Sequence, residues 1–146
     1  MQEKNNIPVF VPVIAFLIGC YDLVRGFMHT INLEYSARYL AGLDLTTPQA
    51  IDLLRLLDVF GISNYITGIM LILLALKARS LALIMLAVIP LAYGLGIICL
   101  RYIMPNYPPS HALWTGAPIM IVYLGICFMT FIAGLGVVLY RKHKHA

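Results

Sequence analysis

Charged residues are scarce in this chain of 146 residues: only 11% are Asp, Glu, Lys or Arg, whereas 62% are hydrophobic. Soluble domains are about 45–50% apolar and about 25% charged. A soluble protein of this size leaves roughly a third of its chain surface in water, so it could not bury this many apolar side chains. The composition therefore excludes an ordinary soluble domain and predicts a domain that lies in a lipid bilayer.

Chemically active motifs are also scarce. The three cysteines form no C-x-x-C pair, which argues against a thiol–disulfide oxidoreductase, and we expect all three to be small buried side chains. The histidines have no H-x-x-x-H or H-x-x-E spacing, and G-x-S-x-G is absent, so we predict no metal site and no serine nucleophile elbow. Basic residues flank apolar runs, so we predict no nucleic-acid partner. The sequence identifies no cofactor.

What the chain does contain is four long apolar runs. A helix needs about 20 apolar residues to cross a hydrocarbon core of about 30 Å. Open strands are excluded because lipid leaves the backbone groups at a sheet edge unsatisfied. We therefore predict an all-α fold, in which residues 1–146 form one transmembrane domain. It is an integral membrane four-helix bundle, with a long, partly helical loop between helices 1 and 2. The predicted spans are residues 7–30, 59–76, 81–103 and 117–140.

The loop after helix 1 carries signals of a second, amphipathic helix. Thr47 followed by Pro48 predicts a helix N-cap and a first helical residue. Asp52, Arg55 and Asp58 then form a polar stripe between leucines. This pattern predicts an amphipathic segment that either lies on the membrane interface or extends helix 2 out of the membrane.

The other connections and the glycines indicate how the helices pack. The four-residue link KARS predicts a tight antiparallel hairpin between helices 2 and 3, and three prolines interrupt the chain between helices 3 and 4. Small residues let helices approach closely in bilayers. We expect such approaches at Gly61, Gly68, Gly94, Gly125 and Gly134.

The basic residues indicate an orientation. Four spans place the N-terminus, the KARS link and the C-terminus on one side, with Lys4, Lys77, Arg79, Arg141, Lys142 and Lys144. The opposite side has Arg25, Arg38, Arg55 and Arg101. Because Lys and Arg are in excess on the cytoplasmic side of membrane proteins, both termini are predicted to be cytoplasmic.

Polar side chains concentrate in the opposite half of the membrane. Asp22, Arg25 and His29 are spaced so that they share one face of helix 1. With Ile7 at the cytoplasmic boundary, the helical rise places Asp22 roughly 23 Å and Arg25 roughly 27 Å across. The same count places further polar side chains of the other helices in this outer half: Asn64, Tyr93, Arg101 and Tyr123. These seven residues predict a ligand-binding cavity that opens to the exterior.

Each of these residues also has a purely structural interpretation. A charge at the bilayer centre costs at least about 2.5–3.5 kcal/mol, so Asp22 and Arg25 are expected to face the interior as an ion pair. Asn64 is consistent with interhelical hydrogen bonds, and the two tyrosines are consistent with packing. The functional interpretation depends on several such residues converging at one depth.

Three functions are compatible with these residues. In the first, the cavity binds a lipid-like or quinone-like apolar ligand, or a membrane partner. Arg25 and Arg101 would then hold an anionic or carbonyl head. In the second, a small membrane enzyme uses Asp22 or His29 to move a proton on an apolar substrate. A weaker third possibility is an oligomeric small transporter. Membrane lipids are the expected partners, and further copies of the chain or a membrane complex are compatible with the sequence.

The four-span plan, with its longest loop after helix 1, resembles DoxX-like small bacterial membrane proteins in outline. The segment FGISNYITGIMLIL, with glycines ahead of an aliphatic run, is similar to their second helix. This resemblance implies an integral protein of a bacterial inner membrane. It assigns no site residues.

Overall fold

The computed structural model describes residues 7–103 and 116–144, and these residues are almost entirely helical. The helices are α1 (Phe10–Thr30), α2 (Leu33–Tyr35), α3 (Ala50–Lys77), α4 (Arg79–Ile103) and α5 (Gly116–Lys144); a single π-helical turn, Ser36–Leu40, directly follows α2. The described residues contain no strand. Four of the helices are long and apolar enough to cross a membrane. The predicted all-α fold, an integral membrane helical bundle, is therefore confirmed.

The helix boundaries differ most from prediction in α3. The predicted amphipathic segment and second span are one continuous helix of 28 residues, so the segment extends the span and does not form a separate surface helix. The predicted connection between helices 3 and 4, residues 104–115, lies outside the described residues. That the whole chain is one domain stays a prediction.

The predicted helix start at Thr47 and Pro48 is wrong. The helix begins at Ala50, without a side-chain cap. Before the helix, the Asp44 carboxylate accepts hydrogen bonds from the Thr46 backbone N–H, at 2.9 Å, and from its hydroxyl, at 2.6 Å. These bonds lower the pKa of the Asp44 carboxyl below its ordinary value. Asp and Asn commonly build such turns, and the chain around Thr47 and Pro48 continues as a turn up to the helix.

The four long helices pack mainly as two pairs, α1 with α3 and α4 with α5. The contacts of Gly19 with Gly68 and of Thr30 with Gly61 show that α1 and α3 run antiparallel. A single non-helical residue, Ala78, joins α3 to α4, which confirms the predicted hairpin. We name the two ends of the bundle by the parts of the chain found there. The loop end has the connection from α1 to α3, residues 31–49. The termini end has the start of α1, the hairpin at Ala78 and the last residues of α5.

Glycines allow α1 and α3 to pack with their backbones almost in contact. A Cβ atom on Gly68 would lie 2.7 Å from the carbonyl oxygen of Gly19, and one on Gly61 would lie 2.7 Å from Thr30. Gly134 of α5 is similarly enclosed. The predicted role is wrong for Gly94 and Gly125, where an added Cβ would have no atom of the described residues within 4 Å. Close packing is therefore concentrated between α1 and α3.

The two ends of the bundle differ in how they are filled. The buried apolar core lies towards the termini end; its fully buried members are Val11, Ala15, Leu71, Ala82, Leu86 and Cys127. At the loop end, α4 contributes little, because almost every residue from Leu91 to Ile103 is exposed. Cys99 lies on this exposed part of α4, contrary to the prediction that it is buried, and Cys20 is partly buried.

Gly68→Ala tests the close approach of α1 and α3. The new methyl group would collide with backbone that cannot move by itself, so we expect a loss of about 1–3 kcal/mol in the free energy of unfolding. Unfolding by sodium dodecyl sulfate in mixed micelles provides the measurement. Gly125→Ala, on an open helix face, is the matched control and is expected to lose nothing. Equal losses in the two variants would contradict the packing described here.

Candidate functional site

The site is built around the carboxylate of Asp22, a residue that is only 1% exposed in the interior of the bundle. One carboxylate oxygen accepts a hydrogen bond from the Arg25 guanidinium at 3.0 Å, one helical turn further along α1. The other oxygen accepts a hydrogen bond from the Tyr123 hydroxyl of α5 at 2.9 Å. The predicted ion pair is present, and Tyr123 holds its second oxygen. Both oxygens of the buried carboxylate therefore have partners.

The Arg25 guanidinium lies against three aromatic rings. Its central carbon is 5.9 Å from the ring centre of Tyr21, 5.4 Å from that of Phe60 and 5.2 Å from that of Tyr123. These distances are within the range of cation–π attraction. Tyr93 of α4 lies near the same guanidinium. Arg25 of α1 thus contacts side chains from α3 and α5 and has Tyr93 of α4 close by.

His29 joins α1 to the π-helical turn. Its Nδ1 atom lies 2.6 Å from the hydroxyl of Ser36, whose side chain is fully buried. The imidazole also packs on Phe60, with ring centres 5.6 Å apart. One residue further on, the Thr30 hydroxyl lies 3.2 Å from that of Tyr65 on α3. The end of α1 is therefore fixed to both the loop and α3.

Gly42 ends the π-helical turn and redirects the chain across the loop end. The Ala41 N–H donates to the Ser36 carbonyl at 2.9 Å, and the Leu43 N–H donates to the Ala37 carbonyl at 2.9 Å. The second bond requires a left-handed residue between them, and Gly42 has a φ of 64°. Glycine adopts this conformation without steric cost. The turn places apolar side chains over the space next to Arg25 and His29.

These elements enclose a cavity of about 530 Å³ at the loop end, here called the loop-end cavity. Its walls come from α1, from the residues around Gly42, from the first turns of α3 and from the first turns of α5. The apolar face of the amphipathic segment forms one wall, through Leu53, Leu56, Leu57 and Phe60. The lining is mostly apolar. Its polar side chains are Arg25, His29, Tyr21 and Tyr123.

Four of the seven predicted ligand-binding residues come together at this point, and Tyr93 adjoins them through Arg25. Asp22 lies behind Arg25, while Arg25, His29 and Tyr123 line the cavity. Asn64 is buried, at 5% exposure, but does not line the cavity. Within residues 7–103 and 116–144 its Nδ2 atom has no hydrogen-bond partner.

Arg101 does not join the other predicted residues. It is exposed near the end of α4 and does not line the cavity. The sequence placed it in the same outer half of the membrane, but this part of α4 is exposed, so a shared half of the membrane did not bring the side chain to the site.

Sequence reasoning missed three contributors to the site: Tyr21, Phe60 and Ser36. Tyr21 is next to Asp22, and Phe60 ends the amphipathic segment, but neither position distinguishes a ring on a guanidinium from one that faces lipid. Ser36 lies seven residues after His29, and a helix continued through this segment would have placed the two on one face. That spacing was the one signal that could have identified it.

Each oxygen of the Asp22 carboxylate accepts one hydrogen bond, and the carboxylate is the ion-pair partner of Arg25. Among the described residues, no group of three or more His, Cys, Asp and Glu side chains could hold a metal ion. Comparison of the chain with protein-family models, with curated proteins and with solved structures found no match, so only the side-chain geometry bears on function.

Tyr123→Phe tests the hydrogen bond that connects α5 to Asp22. Removing the hydroxyl leaves one buried carboxylate oxygen without its donor, so we expect a loss of about 1.5–3 kcal/mol in the free energy of unfolding. Detergent-based unfolding measures it. Tyr140→Phe, on the same helix but at a position 69% exposed, should change stability little. A Tyr123→Phe protein as stable as the control would refute the connection.

Proposed function

We propose that this integral membrane protein binds an apolar small molecule with a polar head, lipid-like or quinone-like, in the loop-end cavity. The observation that carries the proposal is the position of Arg25 in the wall of an apolar cavity. A guanidinium has five N–H donors. Among the described residues its hydrogen-bond acceptor is Asp22, so donors remain for a ligand.

The size and lining of the cavity support this proposal. Small-molecule sites are commonly clefts of about 300–1,000 Å³, mostly apolar, with a few polar groups that orient the ligand. A cavity of about 530 Å³ with one guanidinium, one imidazole and two phenols fits that description. The apolar part of the ligand would lie against the leucines of α3, and the head would lie at Arg25.

An acid–base enzyme is the second candidate, and His29 is the observation that favours it. The imidazole lines the cavity and lies within hydrogen-bonding distance of Ser36. The paired state of Asp22 weighs against this candidate, because the carboxylate is held as an ion-pair partner.

A transporter has less support, because the buried core towards the termini end is apolar apart from Thr130. A membrane partner, including a second copy, would have the exposed part of α4 available.

The orientation of the chain is part of the proposal. The helices place Lys77, Arg79, Arg141, Lys142 and Lys144 together at the termini end. An excess of basic residues supports a cytoplasmic position for this end. The loop-end cavity would then open to the extracytoplasmic side of a bacterial inner membrane.

Reporter fusions after Ala146 test this orientation. A green fluorescent protein fused there should fluoresce, and alkaline phosphatase fused there should be inactive, because the first folds in the cytoplasm and the second needs the oxidising exterior. A fusion within the loop after α1 gives the complementary control. Active phosphatase after Ala146 would reverse the assigned sides.

Filling the cavity tests the binding function. Met120 of α5 lines the cavity, so Met120→Trp should occupy ligand space without touching the polar network. Native mass spectrometry of protein purified in mild detergent should find an apolar molecule bound to the unaltered protein and at least severalfold less bound to this variant. Met129→Trp, on the same helix at a position 65% exposed, should retain it. Equal occupancy in the two variants would exclude the cavity as the site.

A further inference from the structure

We infer that the loop-end cavity selects ligands whose head is an uncharged hydrogen-bond acceptor, such as an ester carbonyl, over ligands with an anionic head. This inference rests on the proposed binding function and narrows its ligand class. It follows from two properties of Arg25. Its positive charge is already neutralised by Asp22, but some of its N–H donors have no acceptor among the described residues.

The first argument is the charge balance around Arg25. The Asp22 carboxylate, 3.0 Å away and almost fully buried, neutralises the guanidinium. No second Arg or Lys lines the cavity in the described part of the chain. An anionic head placed here would add an uncompensated negative charge to a neutral pair in a poorly hydrated site, which is costly.

The second argument is the set of groups that face the guanidinium. From α1 these are Asp22, Tyr21 and His29; α3 contributes Phe60, α4 contributes Tyr93 and α5 contributes Tyr123. The face of an aromatic ring is electrically negative. The three rings therefore stabilise Arg25 in place of an external anion, and they repel an anion that approaches over their faces.

The third argument is the hydrogen bond that a neutral acceptor can form with Arg25. The N–H groups of Arg25 that have no acceptor among the described residues can donate to a carbonyl oxygen without altering the ion pair. The same geometry that disfavours an anion thus leaves a donor site for a carbonyl.

Two probes with the same apolar chain test the inference: methyl palmitate, which is neutral, and hexadecanesulfonate, which is anionic at every accessible pH. Each is titrated into the protein in non-ionic detergent, and the midpoint of thermal unfolding is followed. We expect methyl palmitate to bind at least about tenfold more tightly than the sulfonate, because the sulfonate would lose its hydration beside a pair that carries no net charge.

Asp22→Asn provides the sharper readout. It keeps the shape of the side chain but leaves the Arg25 charge unmatched, so the preference should shift towards the sulfonate. Asp52→Asn removes an exposed acid of α3 that does not line the cavity, and it should leave the preference unchanged. A purely structural role for Asp22 would weaken both probes equally.

The outcomes separate the inference from the proposed function. Tighter binding of the sulfonate by the unaltered protein would overturn the inference and leave cavity binding in place. An unchanged preference in Asp22→Asn would also overturn it. If neither probe binds, or if both bind Met120→Trp as tightly as the unaltered protein, the proposed function fails and the inference with it. The comparison in the unaltered protein is decisive even if Asp22→Asn does not fold.

Discussion

The ion pair between Asp22 and Arg25 determines how the loop end of this bundle is arranged. A single charge within a bilayer costs at least about 2.5–3.5 kcal/mol, so each of these groups needs the other. The pair also recruits one aromatic side chain from each remaining long helix: Phe60, Tyr93 and Tyr123. The buried pair would be energetically unfavourable without these neighbours, and side chains from all four long helices gather around it.

The position of this centre explains why the two ends of the bundle differ. Towards the termini end, apolar side chains and the glycine contacts between α1 and α3 close the interior. At the loop end, the guanidinium and the rings around it lie beside a cavity, and the chain around Gly42 covers that cavity. The buried charged pair and the cavity therefore lie next to each other, near one end of the bundle.

The features that could be predicted from the sequence are those that depend only on residue spacing along a single helix. The three-residue separation of Asp22 and Arg25 implied the pair, and helical rise gave Tyr123 a similar depth. The helical rise per residue gives the depth of a side chain but not which way it points around the helix or how the helix packs. Arg101, at the predicted outer end of its helix, and Gly125, a small residue expected in a close contact, therefore lie on exposed helix faces. The contact of His29 with Ser36 depends on a π-helical turn, which no local propensity indicated.

A double-mutant cycle of Asp22→Asn and Arg25→Gln tests the central claim most directly. The free energy of unfolding is measured for both single variants and for the double variant. If the pair is the buried centre described here, the double variant loses less than the sum of the single losses, with a coupling energy of about 1–3 kcal/mol. Additive losses would show that the two charges do not stabilise each other and would contradict this account.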